Sequence, residues 1–300
     1  MSFVVERDRV PLLEAALEGA GSLAVTLGDA GDEPQLEPAP GDVPLWSRVR
    51  LTALFPDDPD SRARTERLAR VLAAEASAPP RCEALEDRAW ERVWLEGIGP
   101  LRFGRRLWVC PRGQRAEDPD ALSLELDPGL AFGTGHHTTT ALCLTWLDSS
   151  DLAGKTLIDY GCGSGILAIA ALRLGAARAI AVDHDPQALE AAEANACENR
   201  VGDRLLLCLP GDLPEVKADF LVANILAGTL IELAPRLAGL TCAGGGLALS
   251  GILREQVEGV SAAYLDGFDL EPPSFREEWA LVSGRRRQGP EPALAGADPG

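Results

Sequence analysis

From about residue 156 onward, short apolar runs alternate with amphipathic stretches closed by glycine or polar residues. Residues 156–160, 179–183, 205–209, 220–224 and 247–250 read as buried strands. Residues 164–174, 186–199, 226–240 and 253–264 read as helices between and after them, with Pro186 suited to a first helical turn. Residues 279–284 predict a last edge strand. Strands alternating with helices in this way predict an α/β fold with a doubly wound, mostly parallel sheet.

The front of the chain has a different pattern. Residues 3–5, 23–27 and 46–55 read as strands, and 10–18 and 62–76 as helices. A loop rich in Pro, Gly and Asp fills 28–44. The order βα-β-βα predicts a small α+β, ferredoxin-like domain over 1–78. Pro79-Pro80 ends it. Residues 82–93 look helical and carry Trp90, with Trp94 just beyond; 101–109 reads as extended, closed by Pro111 and Gly113. We therefore expect a linker over 79–118, a second domain over 119–285, and a disordered tail over 286–300.

Composition narrows the function classes. The chain has 300 residues and no apolar run long enough for a membrane span, and its first residues lack a basic region followed by an apolar stretch, so no signal peptide is expected. Seven scattered cysteines without C-x-x-C spacing point to reduced thiols in a cytoplasmic protein. A net charge of −18 is the opposite of the basic footprint of a nucleic-acid binder and suits a basic partner as well as simple solubility. Lys155 and Lys217 are the only lysines.

The chemistry lies in Leu157-Ile158-Asp159-Tyr160-Gly161-Cys162-Gly163-Ser164-Gly165, a buried strand running through a glycine turn into a helix. Glycines let the backbone turn tightly and approach a ligand closely. The spacing G-x-G-x-G is not the dinucleotide pattern G-x-G-x-x-G. Asp183, 22 residues after Gly161, closes the second strand, where a carboxylate can accept from both ribose hydroxyls. The combination resembles the class I S-adenosylmethionine methyltransferases.

Further segments narrow the resemblance. They are the run from Asp127-Pro128-Gly129 to Thr138-Thr139-Thr140, then Val222-Ala223-Asn224-Ile225-Leu226-Ala227-Gly228, then Leu249-Ser250-Gly251-Ile252-Leu253. With Leu85-Glu86-Asp87-Arg88-Ala89-Trp90 and Glu278-Trp279, they resemble the bacterial ribosomal protein L11 methyltransferase family along essentially the whole chain. The resemblance implies a seven-stranded Rossmann-like catalytic domain, a substrate-recognition domain in front, and S-adenosylmethionine as cofactor. It also implies transfer of methyl groups to lysine side chains and the N-terminal α-amine of ribosomal protein L11. By position, Thr140, Gly161, Asp183 and Asn224 are then the cofactor-binding residues. Gly161 would meet the methionine moiety, Asp183 the ribose and Thr140 the methionine end. Asn224 would lie beside the methyl group, its amide oxygen able to accept from the incoming amine. No catalytic side chain or metal ligand is assigned, and a monomer is expected, with neither nucleic acid nor membrane as a direct partner.

The family usually reads G-T-G-T-H-P-T-T where this chain has Gly133-Thr134-Gly135-His136-His137-Thr138-Thr139-Thr140. Replacing the proline by Thr138 is expected to loosen the loop by up to about 1 kcal/mol. The first strand is short, with about five residues before Arg7, so either the front domain is trimmed or the start lies upstream.

These residues also admit other readings. His136-His137 has no third ligand at suitable spacing, which disfavours a metal. Cys162 has no neighbouring base, which disfavours a thiol nucleophile. Trp90 and Trp94 share a helical face and suit packing more than substrate contact, and Asp212 suits either the adenine amino group or a loop cap. Two alternative functions stand beside the main one: a related protein-lysine methyltransferase with another basic substrate, and a non-catalytic cofactor-binding scaffold.

Overall fold

The computed structural model describes residues 1–33, 45–85, 99–116, 118, 121–126 and 137–288. Residues 82–85, the start of the helix expected over 82–93, are not helical; the rest of that helix with Trp90, and Trp94 beyond it, the 127–136 stretch with His136, and the tail from 289 lie outside the described residues. The chain divides into two compact units, Met1–Arg88 and Ala89–Gly300.

In the first unit the strands are β1 (Ser2–Glu6), β2 (Ala24–Asp29) and β3 (Arg48–Leu54), paired antiparallel in the order β1-β3-β2. Helices α1 (Val10–Gly19) and α2 (Pro59–Leu72) accompany them. Alternate residues of β3, Val49, Leu51 and Ala53, are buried against Leu13 and Leu17 of α1 and Leu72 of α2. This is the period-two burial of a sheet with one covered face. Asp58 caps α2 by accepting from Ser61 N at 2.9 Å, and Pro59 opens its first turn. Arg81 exchanges two backbone hydrogen bonds with Ser2, on β1, at 2.8 and 2.9 Å.

The second unit opens with β4 (Leu101–Phe103), β5 (Leu107–Pro111) and β6 (Leu122–Leu126), in the order β4-β5-β6. The stretch read as one extended segment turns at 104–106, so β4 and β5 form an antiparallel pair. Phe103, Leu107 and Val109 enter the same core as Leu144 and Leu147 of the helix α3 (Thr138–Ser149).

The main sheet follows. Its strands are β7 (Thr156–Tyr160), β8 (Arg178–Val182), β9 (Leu205–Cys208), β10 (Ala218–Asn224), β11 (Thr241–Leu253), β12 (Phe268–Leu270), β13 (Ser274–Arg276) and β14 (Trp279–Arg286). They are interleaved with α4 (Ile166–Arg173), α5 (Pro186–Glu198), α6 (Ala227–Leu240) and α7 (Val257–Tyr264). The order is β12-β14-β11-β10-β7-β8-β9, with β13 beside β14. β11 through β9 run parallel, and β14 is antiparallel to its neighbours. Neighbouring residues of one strand serve opposite layers. Leu157, Ala179 and Val222 face the α3–α4 side, whereas Ile158, Ile180 and Leu221 pack with Leu230 and Leu237 of α6 and Tyr264 of α7. Helices on both faces explain why these strands read as unbroken apolar runs.

The last edge strand expected at 279–284 lies inside the sheet. β14 is not an edge strand: it pairs with β11 on one side and with β12 and β13 on the other, and Ala280 through Ser283 are buried. Two short strands, each of three residues, supply the outer pairing. β11 also extends well beyond 247–250; Gly244, Gly245 and Gly246, residues depleted in strands, mask its first half in the sequence.

Candidate functional site

In an open α/β sheet the crevice forms where the strand order reverses, at the carboxyl ends of the strands. Here the reversal falls between β7 and β10. Gly161 follows β7 directly and has φ +80, a conformation that favours glycine. A Cβ on it would lie 2.3 Å from Ile225 Cγ2, so the two strand ends meet there. Gly165 caps α4 in the left-handed region, and a Cβ there would lie 2.8 Å from Ala192 Cβ of α5. The turn is tied to the second strand by Gly161 N and Cys162 N, which donate to Val182 O at 2.7 and 3.0 Å.

Asp183 directly follows β8 and is buried. Its Oδ2 accepts from Gly163 N at 2.9 Å and its Oδ1 from Asp185 N at 3.1 Å, while His184 Nδ1 lies 3.3 Å from Oδ1. A carboxylate has about four acceptor positions, so these bonds fix the group and leave acceptor capacity on it. Thr140, buried in the first turn of α3, accepts from Asn224 Nδ2 at 3.3 Å. With the amide so oriented, Asn224 Oδ1 is the atom left for another donor. The four residues singled out in the sequence thus fall into two pairs: Gly161 with Asp183 around the glycine turn, and Thr140 with Asn224 across the end of β10.

The α3 terminus has further anchors. His137 is the N-cap, with Nδ1 at 3.4 Å from Thr139 N and 2.7 Å from Thr139 Oγ1. Its ring stands edge-on to Trp279, with centroids 5.0 Å apart. Asp212 is exposed, and its backbone N–H closes a turn onto Leu209 O at 3.0 Å.

Asp159 is the residue the sequence reading passed over. It is fully buried on β7; Oδ2 accepts from Ala168 N at 3.0 Å, and Oδ1 finds no hydrogen-bond partner among the described residues. Burial, with the Asp183 charge adding to it, pushes its pKa up to about 7 against the pull of the Ala168 amide. Burial likewise raises the Cys143 and Cys162 thiols far above their ordinary value, with Asp159 adding to it, so both stay neutral. An acid inside an apolar strand next to a glycine turn was the available signal.

Comparison with known proteins places this geometry. The profile of the family described as "Ribosomal protein L11 methyltransferase (PrmA)" matches residues 1–287. The chain belongs to this family. A ribosomal protein L11 methyltransferase of Hahella chejuensis is 54% identical over 274 residues, covering 91% of this chain and 93% of that protein. One of Pseudomonas aeruginosa is 54% identical over 281 residues, covering 93% and 95%. A crystal structure described as ribosomal protein L11 methylase from Lactobacillus delbrueckii subsp. bulgaricus aligns with a TM-score of 0.59 at 32% identity, covering 64% of this chain and 100% of that one. As a member of the L11 methyltransferase family, the chain has the Rossmann-like sheet that the resemblance implied, with eight strands rather than seven among the described residues, because β13 adds beside β14. Among the described residues, no helix is long and apolar enough to cross a membrane.

Proposed function

We propose that this chain transfers methyl groups from S-adenosylmethionine to amino groups of ribosomal protein L11, in the cytoplasm. The observation that carries the reading is the family match over residues 1–287, joined to a glycine turn and an acid at the switch point of the sheet. The residues present fit the cofactor. Gly161 keeps clear a space that a side chain would fill, and its amide is committed to Val182, so a ligand would meet its carbonyl and Cα. Asp183 would hold the ribose hydroxyls through its remaining acceptor capacity, and Thr140 the methionine end.

When bound, S-adenosylmethionine supplies an electrophilic methyl group on a sulfonium. The protein's part is positioning: the acceptor lone pair must point along the line of transfer, and orientation of this kind supplies much of the rate. Asn224 Oδ1 accepts a hydrogen from the amine and so aims its lone pair. The amine must also be neutral. An α-amine titrates near 7.7–8.0 and lysine near 10.4, so lysine depends more on a dry pocket. The expected contribution of residues 132–134 to that pocket lies outside the described residues. The unit Met1–Arg88 serves as the recognition module for the basic substrate.

Mass spectrometry of purified L11 incubated with the enzyme and cofactor tests this directly. Methyl groups on lysines and the N-terminal amine are expected. Methylation confined to another basic protein in a lysate would replace this reading by the broader lysine methyltransferase, and absence of transfer would favour a scaffold. Asn224→Ala is expected to cut kcat by tenfold or more, in the range of ~10²-fold for lost orientation. Unchanged turnover with unchanged cofactor affinity would remove the orienting role.

A further inference from the structure

We infer that Glu277 is a positioning residue, which sets the first turn of α3 through Thr138 and thereby the Thr140–Asn224 contact. This inference rests on the cofactor reading above and goes beyond it to a residue of another element.

Glu277 lies in the two-residue turn between β13 and β14. Its φ is +54, in the left-handed region that non-glycine residues rarely adopt. Such a conformation persists where the surroundings over-determine it. They do so here from two sides. Arg254 Nη2 donates to Glu277 O at 3.1 Å and Arg254 N to Glu278 O at 2.9 Å, while the Arg254 guanidinium lies 4.2 Å from the Phe275 ring centroid. On the other side, Glu277 Oε2 accepts from Thr138 Oγ1 at 2.8 Å. The side chain spans 139 residues of sequence to reach the first residue of α3.

That position has a direct line to the site. Thr138 and Thr140 share the first helical turn, and Thr140 Oγ1 receives the Asn224 amide at 3.3 Å. A contact of that length is sensitive to small rotations of the helix end, since hydrogen bonds weaken steeply as distance and angle depart from ideal. Thr138 has no intrahelical use for its N–H at this position, so the Glu277 bond to its hydroxyl is the restraint that its side chain adds. Proline would restrain the same residue by other means: it suits the first helical position, and His137 at φ −71 and ψ 136 has the extended backbone that precedes proline.

The test is calorimetric binding of S-adenosylhomocysteine to wild type, Glu277→Ala, Thr138→Ala, the Thr138→Ala/Glu277→Ala double variant and Thr138→Pro/Glu277→Ala, with thermal unfolding of each. We expect Glu277→Ala and Thr138→Ala each to raise Kd about threefold to tenfold, the span for one net hydrogen bond. The double variant should match the singles, and Thr138→Pro/Glu277→Ala should return to near the wild-type Kd. Full-affinity binding by both single variants, additive losses in the double, or no recovery with proline would each overturn the inference while leaving the cofactor reading intact. Failure of the wild type to bind would overturn both.

Discussion

Among the described residues the Asp159 carboxyl accepts one hydrogen bond, from Ala168 N, and is otherwise buried beside two neutral thiols and the Asp183 charge. Its pKa, raised to about 7, lies above the unfolded value of about 3.9. The folded protein therefore binds the proton more tightly. The stability from this group is fully present below about pH 4 and is lost as the pH rises through about 7. Asp159→Asn keeps an acceptor for Ala168 and carries no charge. It is expected to raise the melting temperature at pH 8 relative to wild type, with the gain shrinking toward pH 4; a pH-independent difference would contradict the titration. Gly161 presents the opposite case, a residue defined by what it lacks. Gly161→Ala meets both a φ of +80 and a Cβ 2.3 Å from Ile225 Cγ2. It should cost about 1–3 kcal/mol of stability and weaken cofactor binding, measurable by denaturant unfolding and calorimetry.

At the scale of elements, the carboxyl end of β6 is held by a side chain standing in for a strand. Asn199, just past α5, accepts from Glu125 N at 2.8 Å and donates to Glu125 O at 2.6 Å. Its Nδ2 also reaches Asn195 O at 2.8 Å, and Asn195 Nδ2 donates to Ser164 O at 2.9 Å in the glycine turn. Two buried asparagines of adjoining turns thus join β6 to the turn after β7. Asn199→Ala leaves both backbone groups of Glu125 without this partner and should destabilise the protein by about 1–3 kcal/mol. Hydrogen exchange should show the loss at 124–126 first; protection unchanged there would mean that β5 alone holds the strand. β14 makes a related point about elements: two three-residue strands turn what reads as an edge into an interior strand.

The whole molecule carries a charge of −18, and each of its two compact units has its own apolar core. An acidic protein acting on a basic one gains encounter rate from long-range attraction, which salt screens with a Debye length of about 8 Å at physiological ionic strength. Association with L11 is expected to slow markedly between 50 mM and 500 mM salt, mainly in the on-rate by stopped-flow or biolayer measurements. A salt-independent on-rate would assign the acidity to solubility alone.

The strand and helix alternation after residue 156, the glycine turn and the acid following β8 were all legible in the sequence. These are local signals: apolar runs of set length, φ-permissive residues and a spacing along one βαβ unit. The sequence also supplied Thr140 and Asn224, but only as matches to a family pattern. That Thr140 Oγ1 meets Asn224 Nδ2 across 84 residues was decided by the packing of α3 against the end of β10. The same holds for Glu277 and Thr138, where the hydrogen bond exists because β13 and β14 fold back past the helix terminus. Asp159 lies between the two cases. Its acid was visible in an apolar strand, yet its proton affinity depends on burial that only the closed core creates. The sequence by itself determined the sheet class and the chemistry available at the strand ends. Tertiary structure decided which of those groups touch, because long-range contacts depend on the register and packing of elements that carry no local mark of one another.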